Sequence, residues 1–469
     1  MSKIKSRFCP SPTGFLHLGN LRTALFSYLA SHKDSGSFLL RIEDTDQNRS
    51  KKEYSEAIFQ DLEWMRLNWD EGPSKEKGSQ SYFQSERTEI YASFYKTLLE
   101  KDLIYPCFMS EEELKLVRKT QLASGKPPRY PGTWANASEE EVKVEFDKGN
   151  KPVYRFRMPK DCLITFVDQV KGEQSFDSND LDDFIVQKED GSPTFMFSNA
   201  IDDSLMEVNL VLRGEDHLSN TPRQIALLQS LGLKEPNFCH IALFTGNDGA
   251  PLSKRNGSMS LKEMREEGYL PQAITNYLSR VGHVISDNNL RSLKELSVEF
   301  DSSKISTSPS KFDIDQLNYW QKRSVEIMSD EELSGFLKDV LQTGLPKDIA
   351  LLDFAKVFRS EIVFPSDALS LAEHIFSEHL SIDENSKSIL TEAGSDFFGD
   401  CKNHYEENYS DWKSFLSKTS SSTGKKGKEI FLPLRIALSG LTSGPELDDL
   451  TELLGKDRVL ERFEQAANL

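Results

Sequence analysis

For roughly its first 257 residues the chain alternates short apolar runs with stretches whose apolar residues recur at helical spacing. From about residue 258 the helical rhythm prevails. A first strand ends around Arg7-Phe8-Cys9, because Pro10 and Pro12 cannot sit in a central sheet ladder. Leu21, Ala24, Leu25, Tyr28 and Leu29 then fall on one helical face. Phe38-Leu39-Leu40-Arg41-Ile42 reads as a second buried strand, and Tyr54, Ala57, Ile58, Leu62 and Met65 mark the helix that follows. Strand, helix and strand on short connections begin a parallel, right-handed βαβ unit.

Residues 75–190 read as an insertion. Tyr91, Phe94, Tyr95, Leu98 and Leu99 predict a helix, a charged helix follows over 110–122, and residues 125–132 are Gly/Pro loop chemistry. Two alternating segments, 153–157 and 163–167, predict antiparallel strands. The sheet is expected to resume at Thr194-Phe195-Met196-Phe197, then at Val208–Leu212 and His240–Phe244. Between the last two lies a helix opened by Asn220 or Thr221 and Pro222. A Ser-rich break over 302–310 reads as a hinge, and helices are expected at 330–343, 347–360 and 366–380. The lysine-rich stretch 418–435 is expected to be a solvated face or a loose linker, with an RNA contact as its other reading.

At 469 residues the chain is too long for one ordinary core, so two to four domains are expected. A net charge of −18 argues against indiscriminate nucleic-acid binding, while leaving room for a local basic surface. Five scattered cysteines with no Cys-x-x-Cys pair indicate neither a disulfide framework nor a zinc ribbon. No apolar run reaches membrane-spanning length, and the N-terminus carries no signal-peptide core, so no membrane partner and a cytoplasmic location are expected.

The candidate chemistry sits at strand ends. His17, with Gly19 and Asn20, lies where the first helix starts, and N–H groups and the helix dipole there favour a phosphate. Glu43-Asp44-Thr45-Asp46 closes the second strand, at the sheet edge where ligands bind in open α/β folds; Asp44 or Asp46 could equally cap the next helix. Arg213 closes a later strand. A glycine-flanked loop, 246–257, carries Leu252-Ser253-Lys254-Arg255.

Together, residues 7–20, Arg41–Asp46, Leu212–Leu218 and the Leu-Ser-Lys-Arg loop resemble the glutamyl-tRNA synthetase branch of the class I aminoacyl-tRNA synthetases. The resemblance spans the whole chain, closely to about residue 325 and through helical character beyond it. It implies a Rossmann-type doubly wound parallel sheet in an α/β catalytic domain (1–74 and 191–257). An inserted α+β acceptor-stem-binding subdomain (75–190), a stem-contact helical region (258–320) and an all-α anticodon-binding region (321–469) complete the expected layout. The implied reaction joins L-glutamate to tRNA-Glu with ATP and Mg2+, through a glutamyl-adenylate, in a monomer.

By the same resemblance His17 and Lys254 would be catalytic, as the leading histidine of the HIGH motif and the main lysine of the KMSKS-type loop. Gly19, Asn20, Ser253 and Arg255 would join them around ATP. Arg7, Ser11, Glu43, Phe195, Asn199 and Arg213 would hold glutamate: the arginines grip its side-chain carboxylate and Glu43 its ammonium. Phe195 stands where the family often has tyrosine, and Pro251-Leu252 where it often has a lysine. Some members bind zinc in the insertion. The corresponding Cys107, Met109, Tyr130 and Trp134 offer one thiolate, too few for a structural site, so no zinc is expected. An arginine that would restrict charging to one anticodon is not evident near Ser360-Glu361, which leaves charging of tRNA-Gln open.

Overall fold

The structure is a computed structural model describing residues 3–46, 48–77, 80–246, 248–250, 252, 259–409 and 411–469. The chain divides into two compact units, one formed by 1–264 with 274–314 and the other by 265–273 with 315–469.

The first unit opens with strand β1 (Lys5–Phe8), helix α1 (Leu18–His32) and strand β2 (Ser37–Leu40), the two strands pairing in parallel. Helix α2 (Lys52–Trp64) follows. Neither Asp44 nor Asp46 caps it. Asp44 accepts from the Ser85 backbone N–H at 2.8 Å and its hydroxyl at 2.6 Å, and Asp46 pairs with Arg49 at 2.6 Å. The next segment supplies helix α3 (Thr88–Glu100), strand β3 (Ile104–Cys107), helices α4 (Glu111–Ala123) and α5 (Glu139–Asp147), and strands β4 (Val153–Phe156), β5 (Leu163–Asp168), β6 (Gly172–Asp177) and β7 (Phe184–Gln187).

The two alternating segments read as antiparallel strands lie in different sheets. Strand β4 sits between β3 and β7, antiparallel to both. Strand β5 forms a hairpin with β6. Its last residue, Asp168, then meets Phe238 in parallel pairing on a catalytic-sheet strand. The tetrad 194–197 is not a strand: it opens helix α6 (Phe195–Leu205). Phe197, Ala200 and Ile201 are buried at helical spacing, a face that a β period would have split.

Strand β8 (Leu210–Gly214), helix α7 (Thr221–Leu231) and strand β9 (Asn237–Ile241) complete the main sheet, with β8 and β9 parallel. Strand β1 runs alongside β8: the Asn209 N–H donates to the Lys5 carbonyl at 3.0 Å, and the Arg7 side chain reaches the Leu212 carbonyl. The ladder β2-β1 thus lies alongside the ladder β8-β9-β5-β6, with β1 next to β8, an arrangement of parallel strands closed by one antiparallel edge strand. Winding proceeds one way from β1 to β2 and the other way from β8 to β9. Such a reversal opens a crevice at the C-terminal ends of the two middle strands. Arg7 and Arg213 both stand there. The chain continues into the short strand β10 (Phe244–Thr245) and helices α8 (Leu261–Glu267), α9 (Pro271–Leu278) and α10 (Leu293–Glu299). Strand β11 (Ser310–Lys311) then pairs with β10 in parallel as a separate two-stranded ladder, which pins the Ser-rich stretch at that point.

The second unit is helical. Helices α11 (Ile314–Glu326), α12 (Asp330–Leu341), α13 (Leu351–Val357), α14 (Pro365–Ile375), α15 (Glu384–Ala393), α16 (Ser395–Asn408), α17 (Trp412–Thr423), α18 (Lys428–Ser439) and α19 (Leu447–Ala467) enclose one core. Leu337, Phe354, Phe358, Ile362, Phe398, Phe415, Leu434 and Phe463 lie at its centre. The stretch 418–435 is no loose linker. Phe415, Thr419, Ile430 and Leu434 bury one side of α17 and α18, and a short link over 424–427 joins the two helices. Helix α19 breaks at Gly455, whose φ of 76° is a left-handed value that a side chain would strain.

Candidate active site

The crevice between β1 and β8 is a cleft of about 720 Å³. Among the described residues it gathers every side chain expected to bind glutamate (Arg7, Ser11, Glu43, Phe195, Asn199, Arg213) together with His17, Gly19 and Asn20. Ser253, Lys254 and Arg255 lie outside the described residues. Leu252, two positions before Lys254, is buried in the cleft wall, with its N–H on the Phe244 carbonyl at 2.9 Å.

At one end, His17 is the N-cap of α1. Its Nδ1 accepts from the Gly19 N–H at 3.1 Å, and the Asn20 side-chain oxygen reaches back toward the His17 N–H at 3.5 Å. An accepting Nδ1 leaves Nε2 as the donor of the neutral ring. Burial lowers the His17 pKa, which favours that neutral form. A Cβ at position 19 would stand 3.0 Å from the His17 ring, so a side chain there would push the ring by a few tenths of an ångström. Gly14 has no such neighbour, so a side chain at that position would meet open space.

The other end is a charged network that the sequence showed only in part. Arg7 donates through Nε to both Asp203 oxygens at 3.1 and 3.2 Å. Arg41 meets the same carboxylate at 2.8 Å and lies 3.6 Å from Glu43. Asp202 is bound in turn by Arg87 at 2.9 Å, Gln84 at 2.9 Å and Tyr91 at 2.7 Å. Burial is the largest single influence on Arg7 and Arg41 and disfavours their charges, but Asp203 together with Cys9, Glu43 and, for Arg41, Asp202 outweighs it and raises both pKa values. Burial pushes the Glu43 carboxyl up, against Arg41 and the Asn199 amide, which donates to it at 2.6 Å. Burial also raises the Cys9 thiol to about 12, so it stays protonated beside this network.

Arg213 differs. Its Nε donates to His240 Nε2 at 3.1 Å, one terminal nitrogen to the Gln224 oxygen at 2.8 Å and the other to the Thr221 hydroxyl at 2.7 Å. All three partners are neutral, and among the described residues no carboxylate lies within ion-pair distance of it. Burial, with Arg7 adding repulsion, lowers its pKa to about 10, so it remains a cation at neutral pH. Each terminal nitrogen retains one further N–H, a fork shaped for a carboxylate. Gln224 continues through Asn199 at 3.5 Å to Glu43, which ties the cationic and anionic ends of the cleft into one chain.

Arg41, Asp168, Asp202, Asp203, His240, Thr221 and Gln224 were not identified as site residues from sequence. The available signal was a polar residue inside or closing an apolar strand, as with Arg41 after Phe38-Leu39-Leu40 and His240 after Phe238-Cys239.

In the segment 75–190, Cys107 is surrounded by groups that leave little for a metal. Its thiol donates to the Tyr130 hydroxyl oxygen at 3.4 Å, Arg155 Nε donates to its sulfur at 3.4 Å, and the guanidinium lies 3.8 Å from the centre of the Tyr130 ring. A zinc ion there would face a buried cation with one sulfur ligand, so these residues do not fit it.

A family model described as the catalytic domain of class I tRNA synthetases (E and Q) matches residues 3–319, and one for an anticodon-binding domain matches 331–467. Glutamate–tRNA ligase 2 of Nitrosococcus oceani is 46% identical over 99% of this chain and 98% of its own length. Glutamate–tRNA ligase 2 of Coxiella burnetii is 44% identical over 99% of both chains. The crystal structure of the glutamate–tRNA synthetase from Elizabethkingia anophelis superposes with a TM-score of 0.90 at 30% identity, covering 100% of both chains. That of a glutamate–tRNA ligase from Elizabethkingia meningosepticum, in complex with its amino acid, gives 0.89 at 30% identity, covering 100% of this chain and 99% of that one. The two-way winding of the sheet, the helical second unit and these full-length similarities agree: the chain belongs to the class I glutamate–tRNA ligase family.

Proposed function

We propose that this ligase charges tRNA-Glu through a glutamyl-adenylate formed in the cleft between β1 and β8. The glutamate α-carboxylate attacks the α-phosphorus of ATP, and the bond to the departing diphosphate breaks. The terminal ribose hydroxyl of the tRNA then attacks the activated carbonyl, and AMP leaves. Charge builds on phosphate oxygens in the first step, so positioning and cationic donors carry the catalysis.

His17 Nε2–H and the α1 N-terminus, with Gly19 and Asn20, serve the phosphates. Lys254 takes the charge of the leaving diphosphate, with Ser253 and Arg255 beside it. Mg2+ accompanies ATP and adds charge neutralisation. Glu43 and Asn199 hold the ammonium, Arg213 and Arg7 face the side-chain carboxylate, and Ser11 and Phe195 complete the walls. The inserted segment takes the acceptor end, the helical unit takes the anticodon, and the enzyme acts as a cytoplasmic monomer without zinc.

The observation that carries this reading is the buried Arg213 cation, held among the described residues by neutral partners, in the cleft that also holds Glu43. A glutamate spans the two: its carboxylate supplies the anion that Arg213 lacks, and its ammonium meets Glu43. Charging assays with labelled glutamate and ATP, run separately with tRNA-Glu and tRNA-Gln, test it. Product with tRNA-Glu is expected, and no product with either tRNA overturns the reading. Charging of tRNA-Gln as well is the second reading. An arginine does stand beside Ser360, Arg359, passed over at the level of sequence; the second reading is favoured by its being spent on Asp330 and the Met328 carbonyl, both at 2.7 Å, within its own unit.

A further inference from the structure

Behind Arg213 lies a buried pair, Asp168 and His240, that is not itself part of the cleft lining. Asp168, at the end of β5, accepts from His240 Nδ1 at 2.7 Å. It also accepts from the backbone N–H of His240 at 3.0 Å, of Val170 at 2.9 Å and of Lys171 at 2.8 Å. Burial alone would raise the Asp168 carboxyl, but the His240 bond and the two turn N–H groups bring it below its usual value, so it is ionised. An ionised acceptor on Nδ1 places the imidazole proton there and leaves Nε2 as a lone pair. That lone pair faces Arg213 Nε at 3.1 Å and the Thr221 hydroxyl at 2.9 Å. A second ring proton would set two donors and two cations against each other. Burial likewise lowers the His240 pKa. All four side chains are at most 5% exposed.

We propose that Asp168 and His240 are positioning residues for glutamate recognition: the carboxylate fixes the Nδ1–H tautomer, and Nε2 holds the Arg213 guanidinium with its two free terminal N–H groups toward the substrate carboxylate. The inference rests on the reading of Arg213 as the partner of that carboxylate. It gives strand β5, from the segment inserted between β2 and β8, a part in amino-acid recognition.

The chemistry predicts an asymmetry between near-isosteric changes. In Asp168→Asn, the oxygen that accepts from the Val170 and Lys171 N–H groups must remain oxygen. The new NH2 group then points at His240 Nδ1 and forces the Nε2–H tautomer, donor against donor at Arg213. In His240→Gln the amide oxygen can stand near the Nε2 position and still accept. In His240→Leu nothing can.

The test uses the full-length enzyme and measures KM for glutamate, KM for ATP, kcat and thermal midpoint for these three variants and Arg213→Ala. Imidazole nitrogen NMR is recorded alongside, with the His240 signals assigned by their loss in His240→Gln. Asp168→Asn and His240→Leu are expected to raise glutamate KM roughly tenfold or more, with ATP KM and kcat at saturating glutamate within about threefold of wild type. His240→Gln is expected to stay within about threefold throughout. The His240 ring should read as Nδ1–H in wild type and Nε2–H in Asp168→Asn. Unchanged glutamate KM in folded Asp168→Asn, equal damage from Gln and Leu at 240, or an Nε2–H ring in wild type each overturns the proposal. If His240→Leu does not fold, Asp168→Asn and His240→Gln decide. Arg213→Ala separates the two levels: no rise in KM there refutes the pocket reading, whereas a rise there without one in Asp168→Asn refutes the pair's role alone.

Discussion

Arg7 and Arg213 rise from the C-terminal ends of neighbouring strands, and among the described residues a carboxylate accompanies Arg7 but not Arg213. Asp203 takes the Arg7 Nε on both oxygens, while Arg213 has His240, Gln224 and Thr221. The two should therefore fail differently. Arg213→Ala should raise glutamate KM by roughly 100-fold, about 3 kcal/mol for a charge-assisted contact, with little change in thermal midpoint. Arg7→Ala removes a partner of the buried Asp203 and should cost about 3 kcal/mol of folding stability by denaturant titration. Equal effects of the two changes on KM and on stability would refute this division.

The parts of this fold that follow local rules were legible from residues. Pro10 and Pro12 stop β1, and Pro222 sits in the first turn of α7. Helix α6 was misread because Phe195, Met196 and Phe197 are consecutive, and a short apolar run does not reveal its own period. Placing β5 beside β9 required Asp168 to meet Phe238 across 70 residues of sequence, a long-range pairing that no local pattern encodes. The site divides in the same way. Arg7, Glu43 and Arg213 close strands and stood out. Their supports, Asp203, Gln224, Thr221 and His240, lie on helices or inside a strand, and their roles exist only once the elements are assembled.

Lys254 follows Leu252, which closes the cleft wall, by two residues. A lysine whose contact strengthens as diphosphate departs stabilises the transition state more than the ground state. Lys254→Ala should lower kcat by about 100-fold, about 3 kcal/mol, with ATP KM changed far less. ATP–diphosphate exchange measured under the conditions that support charging checks this, and an unchanged kcat would remove Lys254 from the mechanism.

The purified enzyme should contain no stoichiometric zinc by elemental analysis, and a strong chelator should leave its thermal midpoint unchanged. The reason lies around Cys107, where the thiol donates to the Tyr130 hydroxyl, Arg155 donates to the sulfur and the guanidinium covers the tyrosine ring. One zinc per chain, or a chelator-induced loss of stability, would show that this cluster rearranges to admit the ion.

Glu43 gives the pH dependence its sign. Burial raises its pKa above the ordinary carboxylate value, against the pull of Arg41 and Asn199. Only the ionised carboxylate attracts the substrate ammonium, so kcat/KM for glutamate should be at its plateau above the raised pKa and fall as pH drops through it. The side chain of free glutamate titrates at about 4.3, so a limb at higher pH belongs to the enzyme. His17, whose pKa burial lowers from its usual value, titrates in the same direction, and a second variant is needed to tell the two apart. Glu43→Gln should have a lower plateau and lose the Glu43 limb while keeping any His17 limb. An acid limb of the same midpoint in Glu43→Gln as in wild type would assign the dependence to His17 and take Glu43 out of ammonium recognition.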